Sequence, residues 1–285
     1  RHVLVTRLVM PLAAFLPLMV IARHSDELLG QYALLTTWFF VLQVLPLLGL
    51  APFVMREVAR RPDDAGVVFG TVGSLALAAC LVLNGLLALL LFVLPYSTEI
   101  RGALHIVGLS IVPGILAFIV EIVLISLASA RAVARIAVIE NLLRLGLSVA
   151  VVQADGGIAA LMWILVLTRS LALTACLAVL ARHPRVRWAA PSPTLLRRIL
   201  GVLPVFLAAT VLGLAASRLD FVVLSLFRPV EEIGLYAIAY RLYDIGILFT
   251  GALVTALFPG LAAEYARAPA RFRRRSRHVV RATVL

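Results

Sequence analysis

Eight apolar runs separated by short polar links leave this chain one architecture, a bundle of membrane-spanning helices. The runs cover Leu8–Ala22, Gly30–Met55, Gly66–Pro95, Gly102–Ser129, Ala132–Val152, Gly157–Leu180, Ile199–Phe227 and Gly234–Ala263. Most exceed the ~20 residues that cross a bilayer as a helix, so tilt or extension beyond the membrane is expected. Val279–Leu285 reads as the start of a ninth. With 63% hydrophobic and 14% charged residues, the composition excludes an ordinary water-soluble domain. The first run is followed by seven others and belongs to the fold rather than to a cleaved leader.

One stretch occurs twice. Glu27-Leu28-Leu29-Gly30-Gln31-Tyr32-Ala33-Leu34 returns 204 residues later as Glu231-Glu232-Ile233-Gly234-Leu235-Tyr236-Ala237-Ile238. Each copy follows an apolar run and a polar link and opens another apolar run, which marks an internal repeat. Paired halves in a membrane protein flank a transport pathway. The expected organisation is an all-α, multi-pass transmembrane protein. A six-helix lobe spans residues 1–182, a cytoplasmic link 183–198, and the truncated start of a repeated second lobe 199–285. A complete repeat implies a parent of roughly 400 residues or more.

The net charge of +12 would suit nucleic acid, but its distribution does not. Arg crowds one set of links. That set holds 17, from Arg56, Arg60 and Arg61 to the Arg267–Arg281 cluster, whereas the opposite links hold Arg23, Arg101 and Arg228. Such asymmetry places the Arg-rich side and the N-terminus in the cytoplasm. The Arg267–Arg281 cluster reads as an anchor on anionic headgroups, with no nucleic-acid partner expected. The opposite links are too short for an external domain. Cys80 and Cys176 fall inside apolar runs and read as small core residues.

Ionisable side chains inside spans are costly and face a partner or a watery cavity. Here they are Arg7, Glu121, Glu140, Arg144, Arg169, Arg218, Asp220, Arg241 and Asp244. Glu140 and Arg144, four apart, and Arg241 and Asp244, three apart, have the spacing of helix-face pairs. Glu121 and Arg169 have no opposite charge at that spacing and are expected to face the interior. Five Arg against four carboxylates suit an anion in a cavity, because guanidinium grips phosphate through paired hydrogen bonds. Arg7, Arg144, Arg169, Arg218 and Arg241 are therefore substrate-binding candidates, and Glu121, Asp220 and Asp244 are candidates for ion coupling. No phosphate-binding Gly-rich loop, HExxH motif or metal-ligand spacing of His is present in the sequence. Neither a catalytic centre, a cofactor nor a metal is expected.

Two segments carry a family resemblance. Gly30-Gln31-Tyr32-Ala33, an apolar run to Leu48-Gly49-Leu50, then Arg56-Glu57-Val58-Ala59-Arg60, resembles the first hairpin of bacterial polysaccharide (O-antigen type) flippases. Leu219-Asp220-Phe221, then Gly234-Leu235-Tyr236-Ala237, then Leu257-Phe258-Pro259, is similar to their seventh and eighth helices. They belong to the multidrug/oligosaccharidyl-lipid/polysaccharide exporter superfamily. The resemblance implies two six-helix lobes rocking about a central cavity in the bacterial cytoplasmic membrane. The implied cargo is an undecaprenyl-pyrophosphate-linked oligosaccharide, with membrane lipids as surroundings and proton or sodium coupling left open. A multidrug cation antiporter of the same superfamily, and an integral-membrane glycan polymerase or glycosyltransferase, are the alternatives.

Overall fold

The computed structural model describes residues 20–47, 49–229, 232–237, 239, 240, 243 and 246. The described residues are helical, with no strand among them. The helices are α1 (Asp26–Val44), α2 (Ala51–Arg60), α3 (Ala65–Val93), α4 (Thr98–Ser126), α5 (Ala130–Gln153), α6 (Ile158–Ala181) and α7 (Pro193–Phe227). Among the described residues, five stretches are long and apolar enough to cross a membrane: Pro62–Val93, Thr98–Ser126, Ala130–Gln153, Ile158–Ala181 and Pro193–Ser217. The protein is a multi-pass membrane protein.

Local chemistry sets the helix starts. Ser25, Ser97 and Ser192 each stand in an extended conformation before a helix, and each hydroxyl accepts a hydrogen bond from the backbone N–H three residues on. Asp26, Glu27 and Glu99 add negative charge to first turns, where the helix dipole favours it. Pro193 takes the first position of α7, where its missing N–H costs nothing.

The apolar run Gly30–Met55 is not one helix. α1 stops at Val44, and α2 begins at Ala51. Pro46 cannot donate to a helical ladder, and Gly49 has φ +67°, a left-handed conformation that glycine adopts without strain. A Cβ at Gly49 would also stand 2.9 Å from the Phe206 carbonyl oxygen, so α7 closes tightly on this break. α2 then runs amphipathically, burying Phe53, Val54 and Val58 and exposing Arg56 and Arg60.

The contacts divide the chain into two units, one of them Leu16–Leu235, which contains α1 to α7. Within it α4 is the central element. It packs most extensively on α6 and also on α3, α1, α2 and α5. In its most apolar window 61% of residues are buried, against 22% for Pro62–Val93 and 6% for Pro193–Ser217. Ile111, Ile115, Ile119 and Leu124 fill the centre, while Gly108 and Gly114 let neighbouring side chains approach the α4 backbone. Phe92, Val93 and Leu89 of α3 and Ile139 and Leu142 of α5 are exposed, as lipid-facing residues are. In the other unit the described residues stack Tyr240 between Tyr236 and Tyr243, with centroids 5.7 and 5.4 Å apart.

Contacts between distant segments join links assigned to the same side. His24 Nε2 lies 3.1 Å from the Asp155 carboxylate. The Trp38 indole donates to the Tyr96 hydroxyl at 3.3 Å, and that hydroxyl shares a 2.8 Å hydrogen bond with Ser225. On the Arg-rich side, the 183–192 link lies directly on the start of α3. Its Ser192 N–H donates to Thr71 at 2.9 Å, and Trp188 meets Phe69 edge-on. Gly66 has no room for a side chain, because a Cβ there would stand 2.0 Å from the Arg187 carbonyl oxygen.

Candidate functional site

Three membrane-spanning helices bring their charges together. Glu140 on α5 has a side chain only 5% exposed. One of its oxygens, Oε1, accepts a hydrogen bond from Arg144, one turn along the same helix. The same oxygen lies 3.3 Å from Nη1 of Arg169 on α6. Arg144 also donates through Nε to the buried Thr168 hydroxyl at 3.3 Å. The Arg169 guanidinium lies over the Phe39 ring of α1, 5.6 Å from its centroid. The Arg169 stem runs past Gly114, where a Cβ would be 3.8 Å from Cδ. The Arg169 Nε is buried with no hydrogen-bond partner among the described residues.

Glu121 of α4 lies within electrostatic reach of Arg169 and Glu140, and Tyr32 of α1 within reach of Arg144. The cluster therefore joins α1, α4, α5 and α6. Arg144 stands nine residues before the end of α5 and Tyr32 six after the start of α1, about 14 and 9 Å along their helices. Charge at that depth is expensive unless paired. Here one carboxylate oxygen serves two guanidinia, and neither Arg is fully covered, with side chains 19% and 20% exposed.

A second ion pair ties α2 to α7 on the Arg-rich side. Arg198 grips both oxygens of Glu57, at 3.1 and 2.7 Å. Arg198 and Arg56 both lie against the Phe53 ring. Such a two-point fit is geometrically specific in a way that a lysine could not reproduce.

Of the residues singled out from the sequence, Arg144 and Arg169 thus meet at Glu140, and Glu121 lies within electrostatic reach of Arg169 and Glu140. The Glu140–Arg144 helix-face pair is present as expected. Asp220 is exposed on α7. Arg7, Arg241 and Asp244 lie outside the described residues, as does the Arg218 side chain. Cys80 and Cys176 are free and buried. Among the described residues, no group of three or more His, Cys, Asp or Glu could hold a metal ion.

Sequence reasoning did not find the bridging role of Glu140, because its second partner is 29 residues away on another helix. It also missed Thr168, Phe39 and the Glu57–Arg198 pair. The lone carboxylate Glu57 within the Arg56–Arg61 run was the available signal for the last.

No curated protein and no solved structure shows a significant match to the chain. A family model described as "Polysaccharide biosynthesis protein" matches residues 2–263. With its membrane-spanning helices and intramembrane charge cluster, the chain belongs to this family, that of the polysaccharide and O-antigen flippases, and is a membrane transporter of polysaccharide synthesis.

Proposed function

We propose that the protein carries an undecaprenyl-pyrophosphate-linked oligosaccharide from the cytoplasmic to the outer leaflet by alternating access, with Arg169 and Arg144 meeting the pyrophosphate. The observation that carries this reading is the sharing of the single Glu140 Oε1 by two guanidinia, one of which keeps an unpartnered Nε–H. Unused donors on a fixed cation, in a low-dielectric setting, are what a diphosphate would complete. Glu121 is the coupling candidate beside them, since its proton would set the net charge of the cluster. Arg7, Arg218 and Arg241 would extend the cationic surface, and Asp220 and Asp244 are further coupling candidates. Residues 1–182 would form one lobe, 183–198 the link and 199–285 the start of the second lobe.

Arg169→Ala in the full-length protein tests the reading. Glu140 keeps Arg144, so the variant should insert and accumulate. Loss of a charged hydrogen-bond partner should weaken headgroup binding by roughly 1.5–3 kcal/mol. Surface polysaccharide should fall accordingly, whereas Arg185→Ala in the exposed link should export normally. Full export by Arg169→Ala would sink the assignment. The orientation, in the bacterial cytoplasmic membrane with a cytoplasmic N-terminus, rests on the Arg distribution. An impermeant thiol reagent on intact cells should label Gln153→Cys and spare Arg185→Cys, and the opposite result would invert it.

A further inference from the structure

A cavity lies at the other end of α1 from its Pro46–Gly49 break. It has a volume of about 400 Å³ and is walled by α1, the link before α4 and the last turn of α7, all within the Leu16–Leu235 unit. Its polar lining is Glu27, Gln31, Tyr96, Ser97, Ser225 and Arg228, and Phe227 contributes an exposed ring. We propose that this pocket binds the sugar unit of the cargo, next to the charge cluster that holds its phosphates; this rests on the headgroup reading above.

The lining discriminates between ligand classes. A phosphate would face the Glu27 carboxylate, and a cation would face Arg228. An apolar ligand would strand the second N–H and the carbonyl oxygen of Gln31, which is only 7% exposed. A neutral ring of hydroxyl groups fits, because each hydroxyl both donates and accepts. Gln31 uses one N–H on Glu27 at 3.3 Å, which leaves its second N–H and its carbonyl oxygen. The Tyr96 hydroxyl is held between Trp38 and Ser225, so its position is fixed before any ligand arrives. Phe227 offers the apolar face on which the C–H side of a pyranose can stack. The volume falls in the range of small-molecule sites.

The position fits as well. Gln31 lines the pocket, and its neighbour Tyr32 lies within electrostatic reach of Arg144. α1 therefore runs from the pocket toward the charge cluster, as a sugar and a diphosphate on one carrier require.

Three probes test the pocket on the full-length protein. They are bare undecaprenyl pyrophosphate, the same carrier bearing the host strain's oligosaccharide, and that oligosaccharide freed by mild acid. The sugar-bearing carrier should bind about tenfold more tightly than the bare one, the worth of one or two hydrogen bonds. Gln31→Leu, and independently Glu27→Gln at an exposed position, should erase that advantage and leave bare-carrier binding unchanged. Both should also lose the free oligosaccharide. Variants that keep the advantage, or bind the free oligosaccharide like the parent, would overturn the pocket, as would a parent with no advantage. Arg169→Ala should weaken the bare carrier. A failure there alone counts against the headgroup reading and leaves the free-oligosaccharide comparison to decide the pocket.

Discussion

Gly234 lies directly on Gly30. A Cβ at Gly234 would stand 3.2 Å from the Gly30 nitrogen and 3.3 Å from its Cα. Both glycines hold the same place in the stretch that the sequence contains twice. The contact is backbone on backbone, so a side chain cannot be accommodated by a rotamer change alone.

Gly234→Val should therefore lower thermal stability by about 1–3 kcal/mol, the usual cost of overpacking. Gly201→Val, where a Cβ meets nothing within 4 Å among the described residues, is the control and should be milder. Melting of both variants in detergent checks this, and equal effects would refute the close contact.

Glu140 is the counter-charge of two cations. Glu140→Gln should leave both guanidinia without their carboxylate and cost roughly 3–5 kcal/mol, seen as sharply reduced folded protein. Adding Arg144→Met should recover part of that loss, because it removes one of the stranded charges. A double variant no better than the single one would contradict the shared-oxygen geometry.

The Glu57–Arg198 pair is half exposed on its Arg side, at 50%. Its coupling should be correspondingly modest, about 1 kcal/mol. A double-mutant cycle with Glu57→Gln and Arg198→Met, read by thermal unfolding, measures it. A value near zero would show that the two-point contact adds nothing to joining α2 to α7.

Gly66→Ala should lift the 183–192 link from α3, because the new methyl group meets the Arg187 backbone rather than a movable side chain. Trypsin should then cut faster after Arg185 and Arg187 than in the parent. Unchanged cleavage would mean that the link is held elsewhere.

Helix positions were legible in the sequence to within a few residues wherever an apolar run had no internal breaker. Ala132–Val152 became Ala130–Gln153, and Gly157–Leu180 became Ile158–Ala181. Starts were read late where a polar cap precedes the apolar stretch: Ile199 was the first apolar marker, but Ser192 and Pro193 begin α7. Hydropathy also ran through Pro46 and Gly49 and joined α1 to α2, since neither residue lowers apolarity enough to show the break. The runs Leu8–Ala22 and Gly234–Ala263 fall mainly outside the described residues. For the site, charge inside the membrane pointed to Glu121, Arg144 and Arg169. That they meet depends on which faces of α4, α5 and α6 turn inward, and helix-face spacing is blind to neighbours on other helices.

The Trp38–Tyr96–Ser225 chain gives the molecule a native optical reporter. Trp38 is 7% exposed, whereas Trp163 and Trp188 are already 51% and 54% exposed. Parting the last turn of α7 from α1 and α4 would break the hydrogen bond to Ser225 and wet one indole. A red shift of intrinsic emission would then come from Trp38, so opening of this end could be timed in unlabelled protein.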